Sequence, residues 1–384
     1  CALPISCGLD TLLIEGLRRL MLYEKLGISA QVRADIAHAV ELAHEYGMKV
    51  IYHSTCTFAE PNLDDFSAQD RAMLAIDGRT GKEAYIEGWD GWFLWCFNNP
   101  DFREKYYHLT RAMVKETKVD GLMTDEVNFR ASAYQCVCPH CLAQFGGPMP
   151  EVDYENPRWL DWLRFRLRST GDFYEGLRRA IDFLPLLGCK NDEPNSLQSQ
   201  VYGENNDERM RGTSILFTEI CTRDLRKKMH VEAINCAAYQ GLKNYWDVPC
   251  FIFGIVDSHH VDFLYGMQVS HAGRPWICGR ALMERSLSPE DNLTDNDEDM
   301  AAWKKNFDWE NQYRELLAQS TRPAAKIALL LSAATRDLYK GEINDVTEET
   351  FQDGGFVAEF HGWSRALSEN HLPYAVITEY ELTP

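Results

Sequence analysis

The chain has 384 residues, of which 39 are basic and 58 acidic, giving a formal net charge of −19 at neutral pH. An apolar fraction of 45% and a charged fraction of 25% are ordinary for a globular chain, which excludes a disordered tail or a low-complexity fibre. No apolar run nears the ~20 residues of a membrane helix, and the acidic balance argues against nucleic acid or an anionic membrane as partner.

Strand and helix signals alternate from the start. "GLDTLLIEG" is a short apolar run bounded by glycines and reads as a buried strand. "QVRADIAHAVELAHEYG" reads as a helix with Ile36, Val40 and Ala43 on one face and Gly47 as its stop. The strand "MKVIYHST" follows at once. The next helix is "NPDFREKYYHLTRAMVKETK", entered through Asn99-Pro100, and the strand after it is "VDGLMTDEV". A long helix is predicted from Trp159 to Phe183, then strands in "LLGCKND" and "TSILFTEI". The helix "RDLRKKMHVEAINCAAYQGLKNY" leads to the strand "VPCFIFGIVDS". The helix "HVDFLYGMQVSHAG" leads to the strand "RPWICG".

Seven strands alternating with helices imply a parallel sheet covered by helices. The count is one short of a (β/α)8 TIM-type barrel, and the expected missing strand is the first, upstream of Cys1. An open doubly wound sheet is the alternative, disfavoured because no G-x-G-x-x-G follows any strand. The acidic stretch Leu287–Asp299 reads as a loop, followed by the helix "MAAWKKNFDWENQYRELLAQS". Beyond it "KIALLLS", "FVAEFHGWSRALSEN" and "LPYAVITE" begin a second α/β pattern. A boundary is expected near 318–325, dividing the chain into a barrel (1–320) and a second unit (321–384). The chain opens on Cys1 rather than Met and closes just after a strand, so one or both ends are expected to have been cut from a longer chain; the lack of a leader-like segment therefore says little about export.

Most of the twelve cysteines stand singly in apolar segments, which suggests a reducing, cytoplasmic setting. The exception is "YQCVCPHCLAQF", where Cys136, Cys138 and Cys141 form a C-x-C-x-x-C triplet. Three thiolates this close suit a tetrahedral, structural Zn²⁺ with Cys96 or His140 as fourth ligand; the plainer alternative is three reduced thiols on a loop. Carboxylates recur at strand ends: Asp125 and Glu126 in "GLMTDEVNF", Glu219 in "ILFTEI", Asp257 in "FGIVDSHH". Gathered on one barrel rim, such acids suit a two-carboxylate glycosidase; singly, each is as readily a helix cap or an ion-pair partner. Neighbours on a strand point opposite ways, so only one of Asp125 and Glu126 can easily face the axis. Trp89, Trp92 and Trp95, with His53 at a strand end, fit the wall of a sugar cleft or the packing of a long loop.

"WFLWCFNNPDFREKY", "DGLMTDEVNF" and "CVCPHCLAQF" together resemble glycoside hydrolase family 42 and its relatives. The resemblance implies a β-galactosidase-like glycosidase on a carbohydrate substrate, with Cys96 as fourth zinc ligand and Glu126 as acid/base. It places Asp125 where the family has Asn, and finds no Glu on the seventh strand, where the family nucleophile stands. Asp257 is nearest, and Glu219 or Asp125 are the other candidates. The tail resembles the opening of the family's flavodoxin-like trimerisation domain, implying a homotrimer. The competing functions are a non-catalytic glycan-binding barrel and a metallohydrolase, the last disfavoured because an all-thiolate site leaves no position for water.

Overall fold

The computed structural model describes residues 9–15, 20–86, 92–125, 127, 129, 134–188, 211–220, 247–255, 261–278, 297–319, 322–332, 334–335, 356–382 and scattered positions between 233 and 243. In chain order the elements begin with β1 (Thr11–Glu15), α1 (Leu20–Lys25), α2 (Ser29–Glu45) and β2 (Lys49–Thr55). A long excursion follows, carrying the short helix α3 (Ala68–Arg71) and a hairpin of β3 (Tyr85–Ile86) and β4 (Trp92–Phe93). The pattern resumes with α4 (Pro100–Thr117), β5 (Gly121–Asp125), α5 (Pro139–Phe145), α6 (Pro157–Ala180) and β6 (Leu186–Gly188). It continues through β7 (Ile215–Ile220), β8 (Cys250–Ile255), α7 (Val261–Ser270) and β9 (Arg274–Cys278) to α8 (Asp297–Gln312) and α9 (Arg314–Leu317). The single helix expected over residues 300–320 is thus broken at Tyr313, which lies between α8 and α9.

Local chemistry accounts for the long helices. Asn99 caps α4 by accepting from the N–H groups of Asp101 and Phe102, and Pro100 occupies the first turn, where no N–H is needed. Phe102, Tyr106, Leu109 and Met113 recur at helical spacing and form its buried face. Asn156-Pro157 repeats the device at α6, whose last turn carries Arg178 and Arg179 against the carbonyl end of the helix dipole.

Seven strands form one all-parallel sheet in the order β1-β2-β5-β6-β7-β8-β9. The sheet is curled, and its register shows how. Leu13 pairs with Ile51, Met123 with Leu187, and Phe217 with Phe251. Ile51, however, pairs with Gly121, Leu187 with Ile215, and Phe251 with Arg274. The side chains that meet inside are Leu13, Ile51, Met123, Leu187, Phe217, Phe251 and Trp276, so every second strand contributes a residue two places further on. A layer staggered in this way is what tilted barrel strands produce. The rings of Phe217 and Trp276 lie 4.8 Å apart although β8 separates their strands; two strand spacings of a flat sheet would be ~9.6 Å. Among the described residues no strand pairs with the outer edge of β1 or β9, so the barrel is incompletely closed. The two edges are still brought toward each other: Arg314 of α9 lies 3.7 Å from Asp10, just before β1, and Leu9 packs against both the core cluster under α2 and α4 and the cluster that holds Trp303 and Phe307 of α8.

The opposite face of each strand is covered by helices. Val50, Tyr52 and Leu122 pack under α2, α4 and α6, and Thr124 is held outward by Tyr106, whose hydroxyl lies 3.0 Å from the Thr124 hydroxyl. At the N-terminal end of the sheet Asp120 joins β5 to β2. Burial acts to raise its pKa, but the Lys49 ammonium, the His44 ring and the Val50 N–H, each 2.8 Å away, favour the carboxylate and hold it below the ordinary range. A depressed folded-state pKa contributes stability above the unfolded value near ~4 and loses it as pH falls through the folded value. Asp120→Asn is expected to cost about 1–2 kcal/mol in urea unfolding at neutral pH. The difference from wild type shrinks as pH falls below the unfolded value and through the lower folded one.

After α9, β10 (Ile327–Leu331), α10 (Phe356–Glu369) and β11 (Tyr374–Thr378) form a parallel β-α-β unit in which Ile327 pairs with Tyr374. A single β-α-β unit does not show the flavodoxin-like trimerisation domain that the resemblance implies. The unit meets the helical shell at Gly241, where an added Cβ would clash with the Val376 carbonyl oxygen. Among the described residues no helix is long and apolar enough to cross a membrane.

Candidate functional site

Two long excursions leave the C-terminal ends of β2 and β5, the side of a barrel where catalytic groups are carried. They are stitched to each other. Trp95 N–H donates to the Thr57 carbonyl, Ala75 N–H to Leu94, and Val137 N–H to Ile76, so segments near 58, 75, 94 and 136 run side by side.

Under this stitching lies the cysteine cluster. The sulfurs of Cys96, Cys136, Cys138 and Cys141 all lie within 4.8 Å of one another, and all four residues are buried. Cys96 Sγ is 3.5 Å from Cys138 Sγ and 3.6 Å from Cys141 Sγ. Four thiolates at ~2.3 Å from a tetrahedral ion would stand roughly 3.8 Å apart, so the donor set fits a four-coordinate metal. Supporting donors are in place as well: Ile76 N–H and Cys138 N–H reach Cys136 Sγ, and Asn98 Nδ2 reaches Cys141 Sγ. Thiol contacts from Cys136, Cys141 and Cys96 favour ionised Cys138, while contact with Cys136 and Cys138 pushes Cys96 and Cys141 up. Of the two fourth-ligand candidates, Cys96 and not His140 is in the cluster. A buried four-cysteine site of this kind can coordinate a metal ion and leaves no open position on it.

The aromatic candidates divide. Trp92 is half-buried on the hairpin and stacks on Phe58 at 6.0 Å and 10°. Trp95, 4% exposed, is packed between Phe66 and Phe102 beneath the hairpin. Trp89 lies outside the described residues. His53, 6% exposed, is on β2, opposite Glu15 and Met123 in the two flanking strands.

Of the carboxylates, Glu126 and Asp257 lie outside the described residues. Asp125 is the last residue of β5 and Glu219 the fifth of β7. Their side chains are likewise outside the described set, but their backbone positions have a definite place in the register. Two residues beyond the packed inner layer, strand alternation brings positions 15, 53, 125 and 219 into one layer nearer the C-terminal mouth. Sequence reasoning singled out three of these and missed Glu15, although "TLLIE" carries the alternation that would have found it. It also missed Glu60, a buried acid on the excursion after β2 whose only signal is its place between Phe58 and the hairpin.

No protein-family profile matches the chain, and no curated protein does. Solved structures do. The chain is similar to α-L-fucosidase isoenzyme 2 from Paenibacillus thiaminolyticus at 14% identity and a TM-score of 0.59, covering 89% of this chain and 48% of that one. It is similar to a β-galactosidase from the psychrophilic Marinomonas ef1 at 11% identity and a TM-score of 0.63, covering 98% and 66%. It is also similar to a GH5_18 protein from Bifidobacterium longum in complex with Manβ1-4GlcNAc, at 13% identity and a TM-score of 0.55, covering 98% and 84%. The chain thus spans about half the length of the fucosidase and 66% of the galactosidase. At these identities the likeness is one of fold, a barrel shared with several distinct kinds of glycoside hydrolase.

Proposed function

We propose that the protein is a glycoside hydrolase in which Asp125 and Glu219 are the carboxylate pair. The observation that carries this reading is the register: both positions fall in the same inward layer at the mouth, together with His53, two strands apart. That spacing is about 10 Å between backbones, from which two acid side chains can converge on one glycosidic bond. The family 42 resemblance adds the finer parts: β-galactosidase-like specificity, Zn²⁺ as the ion of the four-cysteine site, and a trimer. It puts the donor at Glu126, the residue that follows Asp125 in the sequence.

A glycosidase divides its two carboxylates between a proton donor and a nucleophile or base; in this reading Glu219 is the proton donor to the leaving oxygen and Asp125 the nucleophile or the base that activates water. The test is turnover of a nitrophenyl panel comprising β-D-galactoside, α-D-galactoside, α-L-fucoside and β-D-mannoside. The expected result is hydrolysis of at least one, highest for the β-galactoside. A purified, folded chain that hydrolyses none of them, nor any oligosaccharide of these sugars, would refute the reading.

A further inference from the structure

Glu60 stands five residues beyond the end of β2 and is only 7% exposed. It makes no side-chain hydrogen bond or ion pair among the described residues, and its backbone carbonyl accepts from Phe93 N–H. The residue is largely covered, yet its carboxylate oxygens are not sealed from solvent, so a ligand can reach an acceptor that no described residue occupies. The surroundings narrow the choice. Phe58 bridges Leu94 in antiparallel fashion, which sets position 60 opposite position 92. Trp92 stacks on Phe58, on the same face of the pairing as position 60. No cation among the described residues balances the acid, and the adjacent surface is aromatic. A charged ligand of either sign has little to hold it in such a wall. A neutral polyol with one apolar face has both things it needs, a strong acceptor for its hydroxyls and a flat ring for its C–H groups.

We propose that Glu60 and Trp92 form a pyranose-binding subsite on the excursion above the barrel mouth. The Glu60 carboxylate accepts hydrogen bonds from two adjacent hydroxyls, and the exposed part of the Trp92 ring packs on the C–H face. This deepens the hydrolase reading and rests on it for the class of ligand. Two readouts keep the inferences separable: KM and kcat on the best nitrophenyl glycoside of the panel, and calorimetric titration with the corresponding methyl glycoside.

Glu60→Gln is expected to raise KM roughly tenfold, the size of one charge-assisted hydrogen bond, with a much smaller change in kcat. The methyl glycoside should weaken by the same factor. Thermal stability should change little, since the carboxylate reaches solvent and has no partner among the described residues. Trp92→Ala should weaken both readouts in the same direction, and it serves as the working variant if Glu60→Gln does not fold. Turnover with KM and titration unmoved by either change would overturn the subsite and leave the hydrolase reading standing. Titration that saturates and is lost in Glu60→Gln, in a chain with no turnover, would overturn the hydrolase reading and keep the subsite. A chain that neither turns over nor binds refutes both.

Discussion

Asp125→Asn is expected to leave less than about one part in 10³ of the wild-type kcat, with KM little changed, because it removes a group whose work is done in the transition state. Glu219→Gln should lose a comparable factor on glycosides with poor leaving groups and much less on dinitrophenyl glycosides, whose leaving oxygen needs no proton. That leaving-group dependence is the signature of the donor and separates the two carboxylates by role. If Asp125 is a nucleophile the wild type retains the anomeric configuration and azide restores turnover of Asp125→Ala as the inverted glycosyl azide; if Asp125 is a base acting through water, the wild type itself inverts. Glu126→Gln is the control that decides between register and resemblance. Met123 faces the inner layer, Thr124 is pinned outward by Tyr106, and position 125, on which the register reading rests, is two residues on from Met123. The loss in Glu126→Gln should be small beside that of Asp125. If Glu126→Gln instead shows the leaving-group dependence while Glu219→Gln stays near wild type, the donor is Glu126 and the strand alternation does not extend past Asp125.

Much of the barrel was legible because its signals are local. Asn99-Pro100 fixes the start of α4 by itself, and the apolar runs ending at Glu15, Thr55 and Asp125 each carry a strand without reference to any other. The break at Tyr313 was not legible. α8 packs Trp303 and Phe307 against α7, whereas α9 turns to reach Asp10 at the far edge of the sheet. That change of partner is a property of the curl, which no window of the sequence contains. The same holds for the site. Spacing found the C-x-C-x-x-C triplet, yet Cys96 rather than His140 completes it because the β2 excursion folds back along residues 136–138. The carboxylates were visible as strand-end acids, but which of them share a layer follows from a stagger that advances by two residues at every second strand, and that is written only in the pairing.

Loss of the zinc proposed for the four-cysteine site is expected to destabilise the chain more than any of the carboxylate substitutions. The four sulfurs tie residue 96, at the end of the β2 excursion, to residues 136–141, at the end of the β5 excursion, and so close a loop of about 40 residues by chemistry rather than by packing. Cys138→Ser and Cys141→Ala should each abolish the single bound zinc measured by elemental analysis. Each should lower the melting temperature by about 10 °C or more, since several kcal/mol are lost and each moves a chain of this size by ~2–4 °C. Cys250→Ala, which removes a buried thiol outside the cluster, is the packing control and should cost only about 1–2 kcal/mol without changing the metal content. Because Glu60 and Trp92 ride on the clamped excursion while Asp125 and Glu219 belong to the sheet, chelation should raise KM before it lowers kcat. Replacement of zinc by cadmium, which accepts the same four thiolates, should leave both near wild type. A natively purified chain that carries no metal and shows four titratable thiols in excess of the other reactive cysteines would rule out a metal role for the cluster. A melting temperature indifferent to Cys138→Ser would then mean that the apolar wall of Leu94, Trp159 and Trp162 holds the two excursions together unaided.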